Sequence, residues 1–215
     1  MDLPLPAWLL KRILPGITFR MPSQGKNVYL TFDDGPHPSS TPHILEMLAG
    51  FNAKATFFCS GKQAEKYPRL LNAILDAGHA TGNHSYSHPD GWLTGTDKYI
   101  ADVEKAGSII PSGIFRPPYG RLTPAQYSEL RKKYSIIMWT RQFADYKKGF
   151  NPSKAAVINI APGEVLVLHD SEKTSERTLP LLSQLLKRFD IEGFSCLRLN
   201  MQKAASVDNA DCLKQ

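Results

Sequence analysis

The sequence predicts an α/β protein, an irregular (β/α)7 barrel in a single domain, and three observations point there. The chain has 215 residues, enough for one domain with a sizeable core. Short apolar β-rich runs alternate with longer helical stretches, and strict alternation implies a parallel sheet because parallel neighbours need crossovers. Seven such units fit a small or irregular barrel or an open doubly wound sheet. The third observation favours the barrel: polar, chemistry-bearing residues follow strand after strand at the carboxyl end. A closed or nearly closed sheet brings those ends to one rim, where barrel enzymes keep their chemistry.

The elements follow from apolar periodicity, N-cap residues and glycine breakers. Residues 28–32 (VYLTF) read as the first strand, followed by a helical pattern over 41–49. Residues 53–59 (AKATFFC) form the second strand, and a helix over 63–77 is ended by Gly78. A short strand over 79–82 precedes a loop, after which Thr96 opens a helix to Ile110. Residues 113–115 make a brief strand, and Thr123 caps a charged helix that ends at Lys133. The run 135–139 (SIIMW) is the fifth strand, and Ser153 caps a helix to Ile160. Residues 163–168 (GEVLVL) form the sixth strand. An amphipathic helix over 178–189 carries leucines at 179, 182, 185 and 186, and 194–199 (FSCLRL) closes the set. Residues 1–25 are expected to pack on the domain 26–199, with 200–215 as a polar tail.

Composition excludes several classes. With 42% hydrophobic and 21% charged residues, 15 Gly and 16 Pro, the chain is not disordered, collagen-like or coiled coil. Lys and Arg number 26 against 20 Asp and Glu, a net charge of +6 spread without any dense basic run, so nucleic acid is not an expected partner. Cys59, Cys196 and Cys212 show no metal or redox spacing, and the first two sit in apolar runs as small core residues. The first twelve residues carry an acid and two prolines, and Lys11-Arg12 cut their apolar stretch, unlike a signal peptide. No run reaches the roughly 18 apolar residues of a membrane span. Residues 7–14 are expected to pack on the domain rather than lie on a membrane, and a cytoplasmic location is expected.

The polar residues collect in five places. Asp33-Asp34-Gly35 follows the first strand and His84-Ser85-Tyr86-Ser87-His88 the third. Arg116-Pro117-Pro118-Tyr119-Gly120 follows the fourth, Asp145-Tyr146 lies beyond the fifth, and His169-Asp170 follows the sixth. His79, at the start of a strand and so on the opposite face, reads as structural. The spacing of His84 and His88 places two imidazoles one helical turn apart on one side. Asp34, at the same rim, adds a carboxylate. Two histidines and one carboxylate without a fourth protein ligand form the pattern of an open, catalytic metal site. Asp33 is then free to act as general base, kept ionised by a guanidinium for which Arg116 is the candidate. His169, emerging from an apolar strand, is placed as general acid, with Asp145 and Asp170 as two possible carboxylate partners.

These ordered motifs resemble those of polysaccharide deacetylases, the carbohydrate esterase family 4 enzymes with a NodB-homology domain. The matching stretches are Thr31-Phe32-Asp33-Asp34-Gly35, His84 to His88, Arg116 to Gly120, and Leu168-His169-Asp170. The resemblance runs from about residue 26 to 199 and implies an irregular (β/α)7 barrel. It implies a divalent metal, most often zinc with cobalt or nickel as alternatives, and removal of N-acetyl or O-acetyl groups from chitin-like oligomers, peptidoglycan or xylan. Carried over by position, it makes Asp33 the base, Asp34, His84 and His88 the metal ligands, and Arg116 the orienter of Asp33. It makes the Tyr119 backbone N–H an oxyanion donor, His169 the acid and Asp145 the tuner of that acid. One motif departs: where the family has Asp-x-x-Asp-Trp, this chain has Gln142 at the first acid and Tyr146 at the tryptophan. The exposed aromatics Trp92 and Tyr146 are expected to stack on sugar rings, and Trp139 to lie in the core. Two rivals stand beside this reading: a metal-dependent amidase acting on a non-carbohydrate substrate, and a non-catalytic sugar-binding relative.

Overall fold

A computed structural model describes residues 16–22 and 25–200. Its strands are β1 (Ile17–Thr18), β2 (Asn27–Asp33), β3 (Ala55–Cys59), β4 (Ala80–Asn83), β5 (Ile114–Phe115), β6 (Ser135–Ile137), β7 (Arg141–Gln142), β8 (Val165–His169) and β9 (Ser195–Cys196). The helices are α1 (Thr41–Gly50), α2 (Gly61–Lys66), α3 (Pro68–Asp76), α4 (Thr96–Ile109), α5 (Pro124–Lys133), α6 (Pro152–Ala156) and α7 (Ser175–Glu192). The sheet runs β1-β6-β5-β4-β3-β2-β8-β7, with β9 against β2, and every paired strand is parallel. It curls into an irregular (β/α) barrel of one domain.

Side-chain alternation along β2 and β8 sorts residues to the two faces of the sheet. Val28, Leu30 and Phe32 of β2 and Leu166 and Leu168 of β8 pack outward against Ile44 and Leu48 of α1 and Leu182, Leu185 and Phe189 of α7. Tyr29 and Val165 instead face the barrel interior with Phe58, Ile114 and Ile137. The same alternation sends Thr31, Asp33, Val167 and His169 inward. Because both faces are covered, these strands read as continuous apolar runs rather than as an alternating pattern.

Several expected elements differ in extent. The helix over 63–77 is two helices, α2 and α3, broken at Tyr67 (φ −127°, ψ 59°), because Pro68 disfavours a helical conformation in the residue before it. The strand over 135–139 stops at Ile137, and the chain resumes as β7 beside β8. The carbonyls of Ile137 and Met138 are turned towards Arg116 instead of continuing a ladder. That short crossing brings the two sides of the curled sheet together. Trp139 therefore lies outside a strand, half-buried, and packs against two core clusters. The helix over 153–160 is the single turn α6, capped by Asn151 rather than Ser153. The last helix begins at Ser175 and ends at Gly193 in the left-handed conformation (φ 71°). β1, which pairs with β6, and β7 were too short to signal themselves in the sequence. The expectation for residues 7–14 and the tail beyond 200 lies outside the described residues. Among those described, no helix is long and apolar enough to cross a membrane.

Candidate active site

Parallel pairing decides which side chains meet. In the β2–β8 register Asp33 stands opposite His169, so two residues 136 positions apart in the chain become neighbours at the ends of adjacent strands. β3 and β4 carry the chain to Asn83, and His84 begins where that strand ends. β5 ends at Phe115, immediately before Arg116.

Arg116 is fully buried, and its guanidinium is held on every side. It donates to Asp33 Oδ1 at 2.7 Å, to Thr31 Oγ1 at 2.7 Å, to the Met138 carbonyl at 3.0 Å and to the Ile137 carbonyl at 3.3 Å. Its Cζ lies 4.0 Å from the centre of the Phe58 ring. Phe58 reaches that position because residue 82 is glycine, where a Cβ would come within 2.4 Å of the ring. The desolvation cost of a buried guanidinium is met by a carboxylate and full hydrogen bonding. Arg116 thus fixes the carboxylate of Asp33 in place.

Asp34, His84 and His88 converge, with ligand atoms all within 4.8 Å of one another. Asp34 Oδ1 lies 3.6 Å from His84 Nε2 and 3.3 Å from His88 Nε2. That oxygen is buried and outside any well-formed hydrogen bond. His84 Nδ1 lies 2.8 Å from the Arg116 carbonyl, an acceptor only, so the proton of the neutral ring sits on Nδ1 and Nε2 offers its lone pair towards Asp34. Burial pushes the His84 pKa down to about 4, which keeps the ring neutral. Burial would raise the Asp34 pKa, but the neighbouring imidazoles, His88 foremost, hold the carboxyl well below the usual range. An orphaned buried carboxylate oxygen facing an imidazole lone pair is a donor set that fits a divalent cation.

The two histidines reach this geometry differently from the sequence expectation. Residues 84–88 are not helical, so no helical turn aligns them. Ser85 (φ 63°) and His88 (φ 60°) both take the left-handed conformation, and the loop folds back so that the rings lie 5.0 Å apart.

On the other side of Asp34, His169 Nδ1 is 2.5 Å from Asp145 Oδ1. Asp145 is fully buried, and its Oδ2 accepts from the His169 backbone at 2.9 Å and from Thr178 Oγ1 at 2.5 Å. Burial lowers the His169 pKa, but the hydrogen bond and charge of Asp145 outweigh it and bring the value to about 9. Of the two candidate carboxylates, Asp145 is the partner. Asp170 instead accepts from Ser40 Oγ and Thr41 Oγ1, both at 2.6 Å, beneath the turn after β2. Tyr119, also left-handed (φ 57°), is 58% exposed, and its ring lies 4.6 Å from that of His88. Gln142 pairs with Val167 in the β7–β8 ladder, and the Tyr146 ring lies 5.1 Å from His169. His79 is buried, accepts from the Ala55 backbone N–H at 3.2 Å and stands before β4, away from this rim. Thr31, Thr178 and Phe58 belong to the site's support. Thr31 stood in the first of the family-like stretches, on the face of Asp33, whereas Thr178 and Phe58 carried no signal of their own.

A family model described as "Polysaccharide deacetylase" matches residues 20–135. A peptidoglycan-N-acetylglucosamine deacetylase of Bacillus cereus is 34% identical over 162 residues, which cover 71% of this chain and 59% of that protein. The chain belongs to the polysaccharide deacetylase family. Its fold is that of the Bc1960 peptidoglycan N-acetylglucosamine deacetylase, solved in complex with a hydroxamate-type ligand (TM-score 0.83, 29% identity, 91% of this chain and 95% of that one). A Bacillus anthracis protein described as a family 4 pseudoenzyme is also similar (TM-score 0.72, 25% identity, 85% of this chain and 66% of that one). As a polysaccharide deacetylase the protein is a hydrolase of carbon–nitrogen bonds other than peptide bonds, metal-dependent like its family.

Proposed function

We propose that the protein removes the N-acetyl group from N-acetylglucosamine units of a polymer such as peptidoglycan, with Zn2+ held by Asp34, His84 and His88. The observation that carries this reading is the convergence of three groupings on one rim: Asp34 with the two imidazoles, the Asp33–Arg116 ion pair, and His169 with Asp145. When bound, the cation supplies Lewis acidity towards the acetyl carbonyl and towards the attacking water. Asp33 takes the proton of that water as its oxygen bonds to the carbonyl carbon. The Tyr119 N–H lies in the first turn of a 3-10 segment, where backbone donors lack an internal partner, and serves the developing oxyanion. His169, protonated and steadied by Asp145, gives its proton to the sugar nitrogen as the carbon–nitrogen bond breaks. Acetate and a free amine leave.

Two exposed aromatics flank the centre. Trp92 is 62% exposed, and the Arg121 guanidinium lies 4.7 Å from its ring and 5.7 Å from that of Tyr119. Arg121 is itself tied to Asp90 by an ion pair. The row from His88 through Tyr119 to Trp92 offers flat faces to successive sugar rings, and Tyr146 does so beside His169. Tyrosine in place of the family's tryptophan makes this wall smaller and adds a hydroxyl.

The pseudoenzyme relative lends weight to a second reading, a sugar-binding protein without turnover. Against it stands the buried Asp33–Arg116 pair, which a binder does not require. Acetate release from N-acetylglucosamine oligomers and from peptidoglycan, measured with zinc and with a chelator, distinguishes the two. Release should stop on chelation, and Asp33→Asn should lower it by at least ~10²-fold, the usual worth of a general base. Turnover that survives either change overturns the assignment, and activity on small non-sugar amides alone would identify an amidase instead.

A further inference from the structure

We infer that Asp102, on α4, is the positioning residue that holds the His84–His88 loop in its metal-binding shape. The inference rests on the metal reading above.

The loop has no regular secondary structure, yet nearly all of its backbone is fixed. His84 N–H donates to the Cys59 carbonyl at 3.0 Å. Ser85 N–H donates to Asn83 Oδ1 at 2.8 Å, and His88 N–H to Ser85 Oγ at 3.1 Å. The carbonyls of Ser85 and Tyr86 accept from Gly61 and Lys62 at the start of α2, at 2.9 and 3.1 Å. That leaves the N–H groups of Tyr86 and Ser87, midway between the two histidines. Both donate to Asp102 Oδ1, at 2.8 and 3.0 Å, and Ser87 Oγ donates to Oδ2 at 2.6 Å.

One carboxylate on α4, the helix that packs beside α2, therefore takes up the loop donors left over. Its geometric demand is specific: Ser85 and His88 sit at positive φ, a conformation that non-glycine residues keep only when their surroundings impose it. Without Asp102, two backbone donors lose their acceptor and the loop relaxes towards ordinary φ. His88, at its far end, then moves most relative to Asp34. His84 is less affected, because its Nδ1 is held independently by the Arg116 carbonyl. Asp102 stands fourteen residues beyond His88, and it meets the loop through two backbone N–H groups and one hydroxyl, so no metal-ligand spacing includes it.

The test is zinc affinity of the purified protein, measured by competition with a chromophoric chelator, for the unaltered chain, Asp102→Ala, Asp102→Asn and Ser87→Ala. Zinc binding by the unaltered chain tests the metal reading itself, and the variants test Asp102. Asp102→Ala should weaken zinc binding by roughly 10–100-fold, the usual effect of losing an outer-shell partner of a metal site. Asp102→Asn, which retains an acceptor oxygen for both N–H groups, should recover most of that affinity. Ser87→Ala, losing one of three contacts, should fall between the unaltered chain and Asp102→Ala, and it keeps the comparison open if Asp102→Ala does not fold. A merely structural role would lower the melting temperature of the metal-free protein without changing affinity. Unchanged zinc affinity in Asp102→Ala and Ser87→Ala overturns the inference, as does an Asp102→Asn as weak as Asp102→Ala, which would make charge rather than hydrogen bonding the cause.

Discussion

His169 and Asp145 illustrate how much a single contact decides. Burial alone would leave the imidazole neutral at neutral pH, with nothing to donate. The buried carboxylate at 2.5 Å reverses that and raises the pKa to about 9. The sign follows: an acid works while protonated, so kcat/KM should decline as pH rises through that value. In Asp145→Asn the charge is gone while the burial remains, so the basic limb of the pH profile should move to lower pH by at least about one unit, the scale of a lost neighbouring charge. A basic limb that stays in place would assign the proton to another group. The choice between Asp145 and Asp170 shows what residue types alone leave open. Both are carboxylates near His169 in the motif order, and Asp170 is its chain neighbour. The β-strand sends successive side chains to opposite faces, so the adjacent residue is the one that cannot share the histidine's side of the sheet.

At the level of elements, strand ends and the loops after them hold the chemistry. β2 ends on Asp33, the turn after it carries Asp34, and Gly35 packs so closely on Asp170 that an added Cβ would lie 2.2 Å from Oδ2. Gly35→Ala should push Asp170 off Ser40 and Thr41, cost about 1–3 kcal/mol as overpacking does, and reduce deacetylation by displacing the two carboxylates. Urea unfolding measures the first and acetate release the second; a variant as stable and active as the parent would show that the turn has room to adjust. The long strands β2, β3 and β8 and the helix α7 were legible in the sequence, because apolar runs and leucine periodicity report burial directly. The break at Pro68, the early end of β6 and the non-helical histidine loop were not legible as such. Pro68 had a local signal that a continuous apolar pattern overrode. The end of β6 depends on Arg116, and the loop on Asn83, α2 and Asp102, partners that no local window contains.

For the molecule as a whole, the two crossovers from β2 through β3 to β4 must fold before Asp34, His84 and His88 can hold one ion, so metal binding and folding are coupled. Zinc at 100 times its dissociation constant should stabilise the native state by about 2.7 kcal/mol, which for a chain of this size raises the melting temperature by about 5–10 °C. Asp34→Ala should abolish that shift, read by a thermal melt with and without zinc; an equal shift in the variant would put the ion elsewhere. The sequence by itself determined the fold class, the residues at the strand ends and the chemistry they suit, because alternation and periodicity are local and side-chain chemistry travels with residue type. Tertiary structure alone decided that Asp33 faces His169 across a register and that His88 reaches Asp34 through a bent loop. Those relations join positions scores of residues apart, and strand register and packing are what bring such positions within hydrogen-bonding distance.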